Sequence, residues 1–171
     1  MKKNNTLKKD TVPEGFTLSM ALMDTLPVLF FGGSMFTVCT MFHSRLFLIG
    51  SLLVLAGGLG KALWKLIIAL HHKNIWFLNR QMRYVMPAGG ILILLSLITD
   101  HDQISLSGMW KALISMPALI FFLIGFIGIL MMIYFAGHLD SGNAKANWYE
   151  QGTNAIAQLS IFLGLLCVAI R

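Results

Sequence analysis

Charge is what this sequence has least of. Only 12% of its 171 residues are Asp, Glu, Lys or Arg, against about 25% in a soluble domain. Hydrophobic residues make up 57%. A water-soluble fold of this length could not bury so much apolar surface in one core. The bilayer must supply the apolar environment, which makes the chain an integral membrane protein. Cysteine is scarce as well. Cys39 and Cys167 form no CxxC pair and have no metal-ligand spacing, which leaves no zinc ribbon or disulfide scaffold to consider. Both lie near the same ends of their apolar segments, so a disulfide between them is geometrically allowed. Two free thiols acting as small hydrophobes are the simpler expectation.

Acidic side chains are few: seven, against 13 Lys and Arg, for a formal charge of +6. This excess does not point to nucleic acid. The basic residues gather in a tail (Lys2, Lys3, Lys8, Lys9) and a loop (Lys73, Arg80, Arg83), each flanking an apolar segment. Aromatics lie mostly inside the apolar segments rather than interleaved with the cations. Such a pattern encodes orientation in a membrane, and no nucleic-acid partner is expected. The basic start followed by an apolar run mimics a signal peptide. The run is too long, and no small-x-small cleavage site follows, so it reads as a retained first span.

What is present is a polar basic tail over 1–15 and a transmembrane domain over 16–171. The expected class is all-α and polytopic, with five spans at roughly 16–42, 46–70, 84–99, 110–136 and 148–170. A spanning helix needs about 20 apolar residues. Between spans two and three, Ile75, Trp76, Phe77, Leu78 and Met82 alternate with Asn79, Arg80 and Arg83. This reads as a short interfacial helix in the headgroup plane. Pro27, Pro87 and Pro117 are expected near span starts, where a missing donor matters least. Leu26-Pro27 with Phe30-Phe31 faintly echoes Met116-Pro117 with Phe121-Phe122, as an inverted repeat would. Counting Lys and Arg by side, eight against three places the N-terminus in the cytoplasm and the C-terminus outside, in the cell membrane.

Two lysines break the second span. Lys61 and Lys65 sit one turn apart in it, and ionisable residues at such positions mark functional sites by default. Connectivity brings other polar groups to the same end. Asp24 lies about two turns inside span one. Glu150, Asn154 and Gln158 form a stripe at i, i+4 and i+8 on span five. Tyr134 and His138 close span four. These eight residues are the candidate ligand-binding set. Two arrangements are open. Asp24 pairs with Lys61 and Glu150 with Lys65 as helix glue, or the cluster lines a hydrated cavity in which Lys61 attracts an anion. The corresponding functions are binding or transport of a small molecule or ion, or a non-catalytic membrane subunit packed against a larger partner. A homodimer suits a chain this small.

The run Gly57-Gly58-Leu59-Gly60-Lys61 lacks the first Gly and the Ser/Thr of a phosphate loop and lies in an apolar helix. Ala56 and Gly60 are instead a small-xxx-small pair suited to close helix packing. Histidines near both ends (His43 with His101; His71 or His72 with His138) suggest bis-His haem as a third reading, although they sit at span ends rather than inside. His101 between Asp100 and Asp102 reads as a solvated loop. No serine has a His and Asp in an obvious catalytic arrangement, so an enzyme is not the expectation.

Overall fold

The computed structural model describes residues 17–139 and 144–170. The basic tail, Asp140 and Arg171 lie outside the described residues. The protein is all-α, with five membrane-length helices: α1 (Leu18–Met41), α2 (Arg45–His71), α3 (Trp76–Thr99), α5 (Ala118–His138) and α6 (Ala144–Ala169). A short α4 (Leu106–Leu113) precedes α5. At about 1.5 Å per residue, the 21 residues of α5 reach about 32 Å, enough for a hydrocarbon layer of about 30 Å.

Helix starts follow from local capping. The Thr17 hydroxyl accepts from the Met20 N–H at 3.3 Å, Ser44 from Phe47 at 3.1 Å, and Ser105 from Gly108 at 3.2 Å. Each bond satisfies a donor that the helix itself cannot. The α2–α3 turn is closed differently. His72 adopts a left-handed conformation (φ 51°), and the Trp64 indole N–H donates to the Asn74 side-chain oxygen at 2.9 Å across the turn.

Two boundaries depart from the sequence expectation. The stretch expected as a separate interfacial helix, Ile75 to Arg83, is not set apart from span three. From Trp76 onward it is the first part of α3, continuous with the span. No proline falls in it before Pro87, and Asn79 does not cap a new start, so the helix propagates. The short helix that does stand apart is α4. It breaks from α5 because Pro117 has no N–H and disfavours helical geometry at Met116. Span four therefore starts at Ala118, not at residue 110. Pro27 and Pro87 sit inside α1 and α3, well past their starts, whereas Pro117 precedes α5. The proline positions of α1 and α5 thus differ, and the suggested repeat loses its anchor.

Helix packing has a simple order. The membrane helices stand in a row: α3, α2, α1, α6, α5. Chain direction makes α1 and α6 parallel and the other neighbours antiparallel. The end helices α3 and α5 share no extensive contact, so the row stays open. Burial is correspondingly low, from 28% of the apolar window of α2 down to 11% for α3. Small residues set the closest approach. Gly50 and Gly57 of α2 face Gly89 and Met86 of α3, and Gly58 faces Val28 of α1. Ala56, the expected partner of Gly60 in a packing pair, is exposed. Gly60 meets the Gln81 side chain instead.

Candidate functional site

Asp24, Lys65 and Glu150 lie at one depth. Each is six residues from the end of its helix nearest the α2–α3 turn, about 9 Å of rise. Lys61 lies one turn deeper. Because α1 stands between α2 and α6, three neighbouring helices carry all four ionisable groups.

The Lys65 ammonium pairs with Asp24 Oδ2. Both residues are buried, at 4% and 8% exposure. The pairing is thus Asp24 with Lys65, not Asp24 with Lys61. Antiparallel packing of α1 on α2 decides it, since equal depth aligns Asp24 with Lys65. Lys65 does not reach out to the interface along its stem; it is the more buried of the two lysines. Asp24 Oδ1 is buried and accepts no hydrogen bond. The Ser34 hydroxyl, 1% exposed and deeper on α1, likewise has no partner. Pro27, between them, removes the donor that the Met23 carbonyl would otherwise receive.

Lys61 differs from Lys65 in kind. It is half-buried and makes no hydrogen bond or ion pair with any described residue. Glu150 attracts both lysines electrostatically without touching either. Helix geometry explains the separation. On α2, Gly57 faces α3 and Lys65 faces α1, and Lys61 falls in the sector between. On α6, Ala157 and Ile161 face α5 and Phe162 faces α1, with Asn154 and Gln158 between. At about 100° per residue, both sectors open on the same side of the row. The buried α1 residues Met20, Pro27 and Ser34 turn the same way. The row is therefore curved, and its inner face carries Lys61 on one wall and Asn154 and Gln158 on the other.

Sequence reasoning missed two members of this wall. Asn147 and Gln151 are each 9% exposed, more buried than Asn154 or Gln158. The signal was present: Asn147, Gln151, Asn154 and Gln158 recur at spacings of four, three and four. Choosing the charged Glu150 as the start of the stripe obscured it.

Tyr134 and His138 do not join the site. Tyr134 is 58% exposed, and its ring stacks on His138 at 4.1 Å between centroids. His138 Nδ1 lies 2.8 Å from the Tyr134 carbonyl oxygen. The α5 helix packs on α6 through Gly125 and Gly128, which turns this pair to the outside. The histidine pairs of the haem reading are not assembled either. His71 and His72 end α2, and two helices, α1 and α6, stand between it and the α5 that carries His138. His43 is exposed, and His101 pairs with Asp102 at 3.1 Å in an exposed turn. Among the described residues, no cluster of three or more His, Cys, Asp or Glu could hold a metal. Both cysteines are free thiols.

The arrangement can do one thing chemically. The closed Asp24–Lys65 pair cancels its own charge. That leaves an opposed cation and anion, Lys61 and Glu150, across an inner face lined with amides. No known family model, curated protein or solved structure matches this chain, so the site must be read from its own chemistry.

Proposed function

We propose that the protein is a multi-pass protein of the cell membrane that binds a small polar solute or ion on the inner face of the row and passes it across the bilayer. The observation that carries this reading is Lys61. A half-buried ammonium inside a membrane helix, without a hydrogen-bond or ion-pair partner among the described residues, has an unmet electrostatic demand. An anionic group on the solute would meet it. Glu150 would receive a cationic group of the same solute or, with none present, keep the empty site neutral. Asn154 and Gln158 would orient the solute by hydrogen bonds. The Asp24–Lys65 pair holds α1 against α2 beside it. The exposed cations Lys73, Arg80 and Arg83 cluster at the end near the site, which supports a cytoplasmic N-terminus and an external C-terminus.

Lys61→Met tests the reading. Met keeps the length and apolar packing of the stem while removing the charge. Purified protein is screened by thermal shift against small carboxylates, inorganic phosphate and zwitterionic amino acids. The expected result is a wild-type response to at least one class that Lys61→Met loses, with the ligand-free melting point held or raised. A variant that no longer folds would make Lys61 a structural residue instead.

A second reading rests on a different observation. The row is open, and α3 and α5 each have one membrane-helix neighbour. A non-catalytic subunit docked on a larger membrane protein, or a homodimer closing the row, would use those free flanks. Copurification of a stoichiometric partner from native membranes would favour it over the solute reading.

A further inference from the structure

At the end of the row opposite the lysines, the helices line a partly open apolar cavity of about 450 Å³. All six helices contribute to its lining, from Phe42 and Phe47 beside the α1–α2 turn to Leu97 on α3, Phe122 on α5 and Leu165 on α6. The α4 helix roofs it with Met109, Ala112 and Leu113. The volume falls within the ~300–1,000 Å³ of small-molecule sites.

We propose that this cavity is a lipid site that takes one acyl chain of a bilayer lipid, admitted sideways between α3 and α5. This goes beyond the solute reading and concerns a separate site at the other end of the molecule. Four observations carry it. The lining holds no charged residue, so an ionic ligand would be desolvated there without compensation. Its two polar side chains are already engaged. Gln103 Oε1 accepts from the His43 N–H at 3.0 Å, and the Ser105 hydroxyl caps Gly108. The Gln103 amide nitrogen is the one side-chain donor of the wall without a described partner, and an ordered water needs two or more polar partners. Leu97 and Phe122 stand on either side of the seam where the row fails to close, so the cavity adjoins the lipid laterally. Finally, α4 is amphipathic, with Trp110 65% exposed and Lys111 exposed beside it. Such residues anchor a helix at headgroup level, and the head of a lipid whose chain lay beneath α4 would sit there.

The test uses the full chain in phosphatidylcholine nanodiscs doped with a phosphatidylcholine that carries a diazirine in its acyl chain. After photolysis, peptide mass spectrometry maps the adducts. Labelling at Met109 and Leu113 is expected to exceed labelling at Leu94, which is exposed on α3 and does not line the cavity. Ala112→Phe fills the cavity and should abolish the α4 adducts while leaving those at Leu94 unchanged. A folded Ala112→Phe protein with unchanged α4 labelling would overturn the proposal. If that variant fails to fold, the wild-type pattern decides: α4 labelling at or below that of Leu94 rejects the site. Native mass spectrometry of the wild type adds a second readout. One tightly retained phospholipid supports the proposal, and a retained non-lipid molecule in its place overturns it.

Discussion

Asp24→Asn is expected to be among the most damaging single substitutions in this protein, costing about 3–5 kcal/mol of stability. The reason is the residue left behind. Lys65 is 4% exposed, and its ammonium meets the Asp24 carboxylate inside the helix row. Asparagine keeps the shape but removes the compensating charge, so a buried cation remains in an apolar medium. A neutral polar contact between membrane helices is worth only about 0.6 kcal/mol on average. The orphaned charge, not the lost contact, therefore sets the size of the effect. Lys65→Met should cost a similar amount, because the remaining carboxyl group must take up a proton to become neutral, just as an unpaired Lys65 must release one. The double variant Asp24→Asn/Lys65→Met should recover most of the loss, since neither ion is then buried. Thermal unfolding in one detergent, followed by intrinsic fluorescence, gives the four corners of the cycle. Additive losses would show that the two residues act independently and remove the ion pair from the account of the fold.

Gly89→Val should separate α2 from α3, at a cost of about 1–3 kcal/mol or more. A Cβ on Gly89 would stand 2.6 Å from the Gly50 carbonyl oxygen and 2.9 Å from the Val54 nitrogen. Both are backbone atoms, so no side chain can turn aside and the helices themselves must move. The next residue is the control. A Cβ on Gly90 meets nothing within 4 Å. Gly90→Ala should be neutral or stabilising, by up to about 1 kcal/mol from helix propensity. Melting points that fall for Gly89→Val and hold for Gly90→Ala are the expected pair. Equal losses at both positions would mean that the close approach at Gly50 does not govern this interface. As α3 has α2 as its only membrane-helix neighbour in the row, disruption here should also free α3 to proteolysis at the α2–α3 turn.

Much of the architecture was legible because it depends on local properties. Five apolar stretches of spanning length are visible in the residues themselves, and short loops alternate their direction. The shared depth of Asp24, Lys65 and Glu150 follows from that alternation alone. Helix boundaries were less legible. Hydropathy does not separate a helix lying beside the membrane from one entering it, so α3 looked shorter than it is. Pro117 marks a span start in the residues, but nothing local shows that a separate helix, α4, precedes it. The cavity under α4 left almost no trace, since Met, Leu and Phe look alike whether they face lipid, a neighbour or a cavity.

The residues alone determined the class, the five spans, and the end of the molecule where charge enters the membrane. Only the tertiary structure decided which lysine pairs with Asp24, that the helices stand in an open curved row, and that Tyr134 and His138 turn outward. Hydropathy is a sum over neighbours in sequence, and it is insensitive to rotation about a helix axis. Rotation is set by where small residues let two backbones meet: Gly50 with Gly89, Gly58 with Val28, and Gly128 with Ala157. Those contacts join residues far apart in the chain, and they alone fix which face of each helix the site can use.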